Sequence, residues 1–370
     1  MIRKIGFSAL PCACLTTATA QADTFTTVPT TGLSWTKHGL DAGAYARLDN
    51  LARTFPRRDL KYVLEHPRQT TQSAAGSPSL GQVGPGAVSS FKWSDRDNTG
   101  PWIPQGITGS AAAQADGIIG GHRSLLVSWY QDSASSPARV SFVNADSLDG
   151  GGSSYNSATL VIPSGRTVRP IKTHAGGIAW FKHYLFVAET HVGVRVFDTN
   201  YILGAKQLPP TADLNAPFVL PQVGYYRQAK GTGLTFSFVE TDRSSPALIT
   251  GKYQDKKYNR RIVRWPLDGN SGLPALQADG AWKMPASNVQ GGLMHNGRLL
   301  AASSYDPKRS GGIGELVSGV PDQPAAHWAW PDGAEDLHYA GTSHRVYSLT
   351  EKAGDRIVFA VDGASVGLTP

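Results

Sequence analysis

The sequence predicts an all-β protein, a β-propeller with five blades preferred, and three observations predict it. From about residue 88 onward, short apolar runs alternate with turn residues. The runs recur as units roughly 45 to 70 residues apart, each a strand, a turn and a second strand of one recognisable kind. The last unit has only three strands, while a strand-like segment at 87–93 precedes the first unit without partners; joining the two would close a ring and leave no bare edge. Among the 370 residues, 41 Gly and 24 Pro exclude a coiled coil or helical bundle, and 9 Trp, 13 Tyr and 12 Phe supply a large core. A two-sheet sandwich is the structural rival. A sixth or seventh blade would have to come from residues 23–87, which are unsuited to it.

Residues 1–22 read as a signal peptide. Arg3 and Lys4 form a basic start, residues 5–20 are mostly apolar or small, and Ala20-Gln21-Ala22 fits the small-x-small cleavage rule. No later stretch reaches the ~18 apolar residues of a membrane span, so the expectation is a secreted, extracellular chain with no membrane partner. Both cysteines, Cys12 and Cys14, fall in this leader. The mature chain would then be held by its core, without disulfides or thiol chemistry.

Residues 23–87 read as an N-terminal extension packed on the propeller. Tyr45, Leu48, Leu51 and Phe55 recur at helical spacing, Asp41 is a cap, and Pro56 ends the helix. Residues 59–65 suggest another helical turn, and 73–86 are loop-like. The propeller is placed at 88–370, closed by the strand near 87–93. The recurring second strands are 125–130, 185–190, 247–252, 299–303 and 346–351. Third strands follow at 139–143, 194–197, 261–265, 312–316 and 356–361, and fourth strands at 158–162, 217–220, 281–284 and 326–330.

Strand order then selects candidate chemistry. In a blade the innermost strand runs down the central channel and the second returns, so the starts of first strands and the ends of second strands meet at one channel mouth. The first-strand openings carry Gln105, His174, Gln290 and Glu335, with Tyr226 and Arg227 just upstream of the third unit's strand at 234–239. The second-strand ends carry Tyr130, Glu189, Lys252, Tyr305 and Glu351. Glycine beside several of these lets backbones crowd at the axis. Each also has a structural reading. Gln105, Gln290 and Glu335 could bond backbone and tie blades together, Glu189 and Glu351 could pair with Arg195 and Arg356, and the tyrosines could be packing aromatics.

The net charge of +7 is interspersed rather than gathered on one tail, which argues against nucleic acid and leaves a preference for anionic substrates. No nucleophile elbow, His-Glu-x-x-His helix, calcium loop or phosphate-binding glycine loop is present. No cofactor and no metal ligand set is assigned; a structural or catalytic divalent cation stays open.

The strings Trp102-Ile103-Pro104-Gln105-Gly106-Ile107-Thr108, His174-Ala175-Gly176-Gly177-Ile178-Ala179-Trp180, Gly193-Val194-Arg195-Val196-Phe197-Asp198, and Glu335-Asp336-Leu337 with Ser348-Leu349-Thr350-Glu351 carry a resemblance. Over residues 88–362 the chain resembles a family of secreted bacterial and fungal β-propeller proteins, mostly of unassigned function. More weakly it resembles the fungal L-rhamnose-α-1,4-D-glucuronate lyases, seven-bladed propellers. That resemblance implies an axial active site.

The expectation is therefore an enzyme, a polysaccharide lyase cleaving a uronate-containing glycan by β-elimination. Such chemistry needs a cation for the carboxylate, a base for the C5 proton and an acid for the leaving oxygen. Arg227 or Lys252, His174, and Tyr130, Tyr226 or Tyr305 could supply them. The partner would be an acidic polysaccharide or oligosaccharide, and the protein a monomer. The alternatives are a non-catalytic, lectin-like sugar binder, and a glycoside hydrolase using two carboxylates, such as Glu189 with Glu335 or Glu351.

Overall fold

The computed structural model describes the chain except for residues 1–22, 132–136, 149–151, 191, 206–215, 230–234, 254–259 and 306–311. The expected signal peptide and both cysteines lie outside the described residues.

Five four-stranded antiparallel blades stand around one axis. Blade I is Trp102–Gly109, Ser124–Gln131, Arg139–Asn144 and Ser154–Ser164, and blade II is Ile178–Phe181, Tyr184–Glu189, Gly193–Asp198 and Phe218–Gln228. Blade III is Phe238–Asp242, Ala247–Gly251, Arg261–Pro266 and Gly280–Lys283, and blade IV is Val289–His295, Arg298–Ser303, Gly314–Gly319 and Ala326–Trp330. Blade V contributes Ala334–Ala340, Arg345–Thr350 and Ile357–Asp362 from the C-terminus. Its outermost strand is Ser89–Lys92, with Phe91 opposite Val358, so the two ends of the propeller sequence share one sheet. The innermost strands touch in sequence around the ring, I to II to III to IV to V and back to I.

Blade strands are packed on both faces, which is why they read as continuous apolar runs rather than as alternating ones. Leu125, Leu126 and Val127 are all buried in successive positions. One apolar cluster fills each wedge between neighbouring blades. Large aromatics anchor the wedges: Trp180 between I and II, Trp265 between II and III, Trp330 between IV and V, and Trp93 with Trp129 between V and I. At about 25 cal/mol per Å² of apolar surface, each such ring contributes several kcal/mol. At the axis the strands approach too closely for side chains. A Cβ on Gly106 would lie 2.5 Å from the Gly176 carbonyl oxygen, and one on Gly177 would lie 2.5 Å from Phe238 Cα.

The N-terminal extension is partly helical and runs round the outside of the ring as a belt. Asp23 bonds Ala325 in blade IV, Thr26–Thr27 add to the edge of blade III, and Trp35–Gly39 add to the edge of blade II. Gln69–Thr70 pair with blade I before the chain enters blade V. Between these lie the helix Ala42–Ala52, where Asp41 accepts from the Ala44 N–H, and the helix Leu60–Glu65, where Asp59 accepts from the Tyr62 N–H. The belt thereby covers outer strands that would otherwise expose unpaired backbone. Among the described residues no helix is long and apolar enough to cross a membrane.

Candidate active site at the channel mouth

Gln105 lies at an irregularity in the innermost strand of blade I, between Pro104 and Ile107, and is 3% exposed. Its side-chain amide donates to the Pro104 carbonyl at 2.9 Å and to Glu351 Oε2 at 3.1 Å, which fixes the orientation of the amide. Its Oε1 can therefore only accept, and the partner at 2.8 Å is His174 Nε2. The imidazole must carry its proton on Nε2 in this arrangement. The His174 ring packs on Tyr130 with centroids 4.1 Å apart. On the other side of Glu351, Glu335 accepts from the Gln290 side-chain amide at 3.2 Å. Tyr130, His174, Gln105, Glu351, Glu335 and Gln290 thus form one neighbourhood, drawn from blades I, V and IV and the segment leading into blade II.

The two carboxyls differ electrostatically. Glu335 is 2% exposed, and burial first, then the nearby Glu351 and Asp336 carboxyls, hold its pKa well above the usual carboxylate range. Glu351 is also raised, chiefly by burial. The Gln105 amide and the Arg356 guanidinium pull it back down. Arg356 itself donates to the Glu351 backbone carbonyl and to the carbonyls of Asp97 and Gly100, so it is a structural cation and not a side-chain partner of Glu351. Both carboxyls are thus pushed towards the protonated form, Glu335 further than Glu351, an asymmetry of the kind used for proton donation and water activation.

The remaining candidates stand elsewhere. Glu189 is ion-paired to Arg195, whose guanidinium also bonds Gln222 at 2.5 Å. Tyr305 is exposed at the end of the second strand of blade IV, its carbonyl accepting from Asn288 and Ser303. Lys252 is half-buried at the corresponding end of blade III. Tyr226 and Arg227 require correction. They belong to the outermost strand of blade II, which runs the full length Phe218–Gln228, and they pair there with Lys37 and Thr36 of the belt. Tyr226 is fully buried in the wedge between blades II and III against Trp35, and Arg227 is exposed on the rim of the ring. Neither faces the channel. The true lead into the blade III channel strand is Ser237, whose carbonyl accepts from the Gly177 N–H.

A second group of acids below the mouth was missed. Asp336 Oδ2 accepts from the backbone N–H of Ile107 at 3.2 Å and of Ile178 at 3.1 Å, tying blade V to blades I and II. Glu240 on blade III bonds His338 Nδ1 at 3.0 Å. All three are buried, and burial raises both carboxyls and lowers His338 to about 3. A period-two count along the strands at 238–242 and 334–340 is the signal that finds them. Among the described residues no cluster of three or more His, Cys, Asp or Glu is arranged to hold a metal ion.

The sequence matches no family model and no curated protein. Similar solved structures include an α-L-arabinofuranosidase from Clostridium thermocellum, 11% identical, covering 68% of this chain and 82% of that one with a TM-score of 0.36. An exo-β-1,3-galactanase from Phanerochaete chrysosporium, solved with β-1,3-galactotriose, is 12% identical and covers 75% of this chain and 63% of that one, with a TM-score of 0.37. PhoX from Pseudomonas fluorescens is 8% identical and covers 81% and 98%, with a TM-score of 0.38. Likeness at this distance carries no activity from those proteins to this one.

Proposed function

We propose that the protein is a carbohydrate-active propeller that hydrolyses glycosidic bonds at the channel mouth, with Glu335 as proton donor and Glu351 as base. The observation that carries this reading is the pair itself, two neighbouring carboxyls from blade V, each bonded by a glutamine amide from another blade, of which burial pushes Glu335 the further towards its protonated form. Glu335 gives its proton to the glycosidic oxygen as the C1–O bond breaks. Ionised Glu351 takes a proton from the water that attacks C1, and exchange with solvent restores both groups. The His174–Tyr130 pair offers an aromatic rim against which a sugar ring can pack.

β-Elimination is the weaker reading for a physical reason. It needs a cation to neutralise the substrate carboxylate, and Arg227 and Tyr226 lie on the outer strand of blade II, away from the mouth. Of the cations considered for that step, Lys252 remains. The net charge of +7 favours glycans that carry carboxylates, so uronate-bearing oligosaccharides head the panel to be tested.

Incubation with a panel of neutral and acidic oligosaccharides should release new reducing ends, and Glu335→Gln or Glu351→Gln should lower the rate at least ~10²-fold while substrate is still bound. Unsaturated, ultraviolet-absorbing products would replace hydrolysis by elimination. Binding without any product would leave a lectin-like role.

A further inference from the structure

The innermost strands end on the face opposite the mouth, and there a groove of about 460 Å³ runs between the turns of blades I, II and III. That lies within the ~300–1,000 Å³ of ordinary ligand sites. Among the described residues that line it there is no Asp or Glu, whereas Lys182, His183 and Arg243 all do so. Arg243 is the unusual one. It is half-buried, its Nη1 donates to the Ala112 carbonyl at 2.6 Å, and its guanidinium stands 5.7 Å from the centre of the Phe181 ring. Ala113 and Phe181 are walls of the groove, so these contacts hold the guanidinium at its edge. Arg139, Arg195 and Arg264, also withdrawn from solvent, each pair with a carboxylate. Arg243 pairs with none among the described residues, and burial alone shifts its pKa, downwards. Most of its N–H donors are left over after Ala112, and none of its nitrogens is both sealed from solvent and unpartnered. A partly desolvated cation ordinarily has an anion beside it.

We propose that this groove is a second binding site for an acidic glycan chain, on the face opposite the mouth, with Arg243 and Lys182 holding a carboxylate or sulfate of the chain. Carboxyls near the groove offset other charges, not that of Arg243. Asp198 lies 3.8 Å from His183 Nε2, and Asp116 accepts from the Gln114 amide and the Ile118 N–H. Lys182 Nζ donates to the carbonyls of Gly269 and Asn270, with Asp268 beside them. Asp242, the chain neighbour of Arg243, turns its carboxyl to the N–H groups of Ser244 and Ser245. A planar guanidinium with free N–H pairs fits a carboxylate or sulfate edge. Past Ile119, Trp180, Thr199 and Asn200 the groove continues into a compartment of about 350 Å³. Arg57, Arg58 and Lys61 line it against one acid, Asp59, which caps the helix by accepting from the Tyr62 N–H; Lys61 is shared with Glu65 at 3.8 Å. The positive surplus therefore runs along a groove and suits a chain better than a single ion. Trp180 and Phe181 are only 1% and 5% exposed, which leaves little ring face for the base stacking of a single-stranded nucleic acid. The choice of a glycan as carrier rests on the carbohydrate reading of the mouth; the demand for an oxyanion does not.

The test is acetylation footprinting of the full chain, read by mass spectrometry at Lys182 and Lys61, which are both exposed and line the groove. Trigalacturonate, a sulfated trisaccharide, maltotriose, inorganic sulfate and a single-stranded oligodeoxythymidylate are separate arms. At ~10 times its Kd an acidic trisaccharide should slow acetylation of both lysines about tenfold, while Lys37 of the belt keeps its rate. The two acidic arms distinguish a carboxylate from a sulfate as the preferred group. Maltotriose and inorganic sulfate should protect neither lysine. In Arg243→Gln the concentration for half-protection should rise about tenfold. Failure of both acidic trisaccharides to protect would overturn the proposal in the parent chain alone, whatever the variant does. Protection of Lys182 without Lys61, equal protection by maltotriose or inorganic sulfate, tighter binding of the oligonucleotide, or protection unchanged in Arg243→Gln would overturn it too. None of these readings needs turnover, so hydrolysis at the mouth can fail while this site stands, and the reverse.

Discussion

Replacing Arg139 by methionine should cost about 3–5 kcal/mol of folding stability, although Arg139 touches no substrate. It is 4% exposed, its Nη2 lies 2.8 Å from Asp97 Oδ1, and its guanidinium sits 4.2 Å from the ring of Trp102 and 4.8 Å from that of Trp129. Asp97 belongs to the short helix Asp95–Thr99, which joins the closing strand of blade V to the first strand of blade I. The pair therefore pins the ring shut. Methionine keeps the apolar contact with the two indoles and removes the charge. Asp97, 1% exposed, is then left inside with the Tyr155 hydroxyl at 2.7 Å as its side-chain partner among the described residues. A stranded buried carboxylate, and not the lost attraction, supplies most of the cost. The loss of the two cation–π contacts adds about 0.5–2 kcal/mol. Urea unfolding followed by tryptophan fluorescence reads the loss as a lower midpoint at constant slope. Adding Asp97→Asn removes the stranded charge, so the double variant should lose about 0.5–3 kcal/mol less than the two single losses combined. A loss below about 1 kcal/mol for Arg139→Met, or strict additivity in the double variant, would refute the argument.

Two further outcomes follow from the same geometry. Glu335 binds its proton more tightly in the folded chain than the usual 4.5, so its contribution to stability is fully present below that pH and is lost as pH rises towards its folded pKa. Glu335→Gln cannot ionise, and its melting temperature should fall less than that of the parent as pH is raised from 4.5; parallel curves would contradict the assignment. Trp35 of the belt stacks on Trp265 with centroids 3.9 Å apart and lies 5.2 Å from Tyr226. Trp35→Ala should cost about 3–5 kcal/mol in urea, whereas a loss under about 1 kcal/mol would mean that the belt is not part of the cooperative unit.

The sequence by itself determined the blades. Five similar second strands, spaced by turn residues, announce a repeated sheet, because a strand buried on both faces must be apolar throughout and its turns must be polar or glycine-rich. Of the residues that strand order assigns to one mouth, Gln105, His174, Tyr130, Gln290, Glu335 and Glu351 stand in one neighbourhood, while Tyr226 and Arg227 do not. Tertiary structure decided what strand order cannot express. A strand buried on both faces looks the same from sequence whether it is innermost or outermost, so Tyr226 and Arg227 read as a channel entrance when they form a rim edge paired with the belt. The same ambiguity hid Glu240 and His338, which are separated by 98 positions and meet only because blades III and V converge on the axis. Roles within the mouth were equally undecided, since Glu189 and Glu351 occupy equivalent strand ends. One is committed to Arg195 while the other adjoins a buried acid. Local pattern finds the blades; which of their residues face the channel, and which carboxyl burial pushes furthest towards its protonated form, is set only when the ring closes.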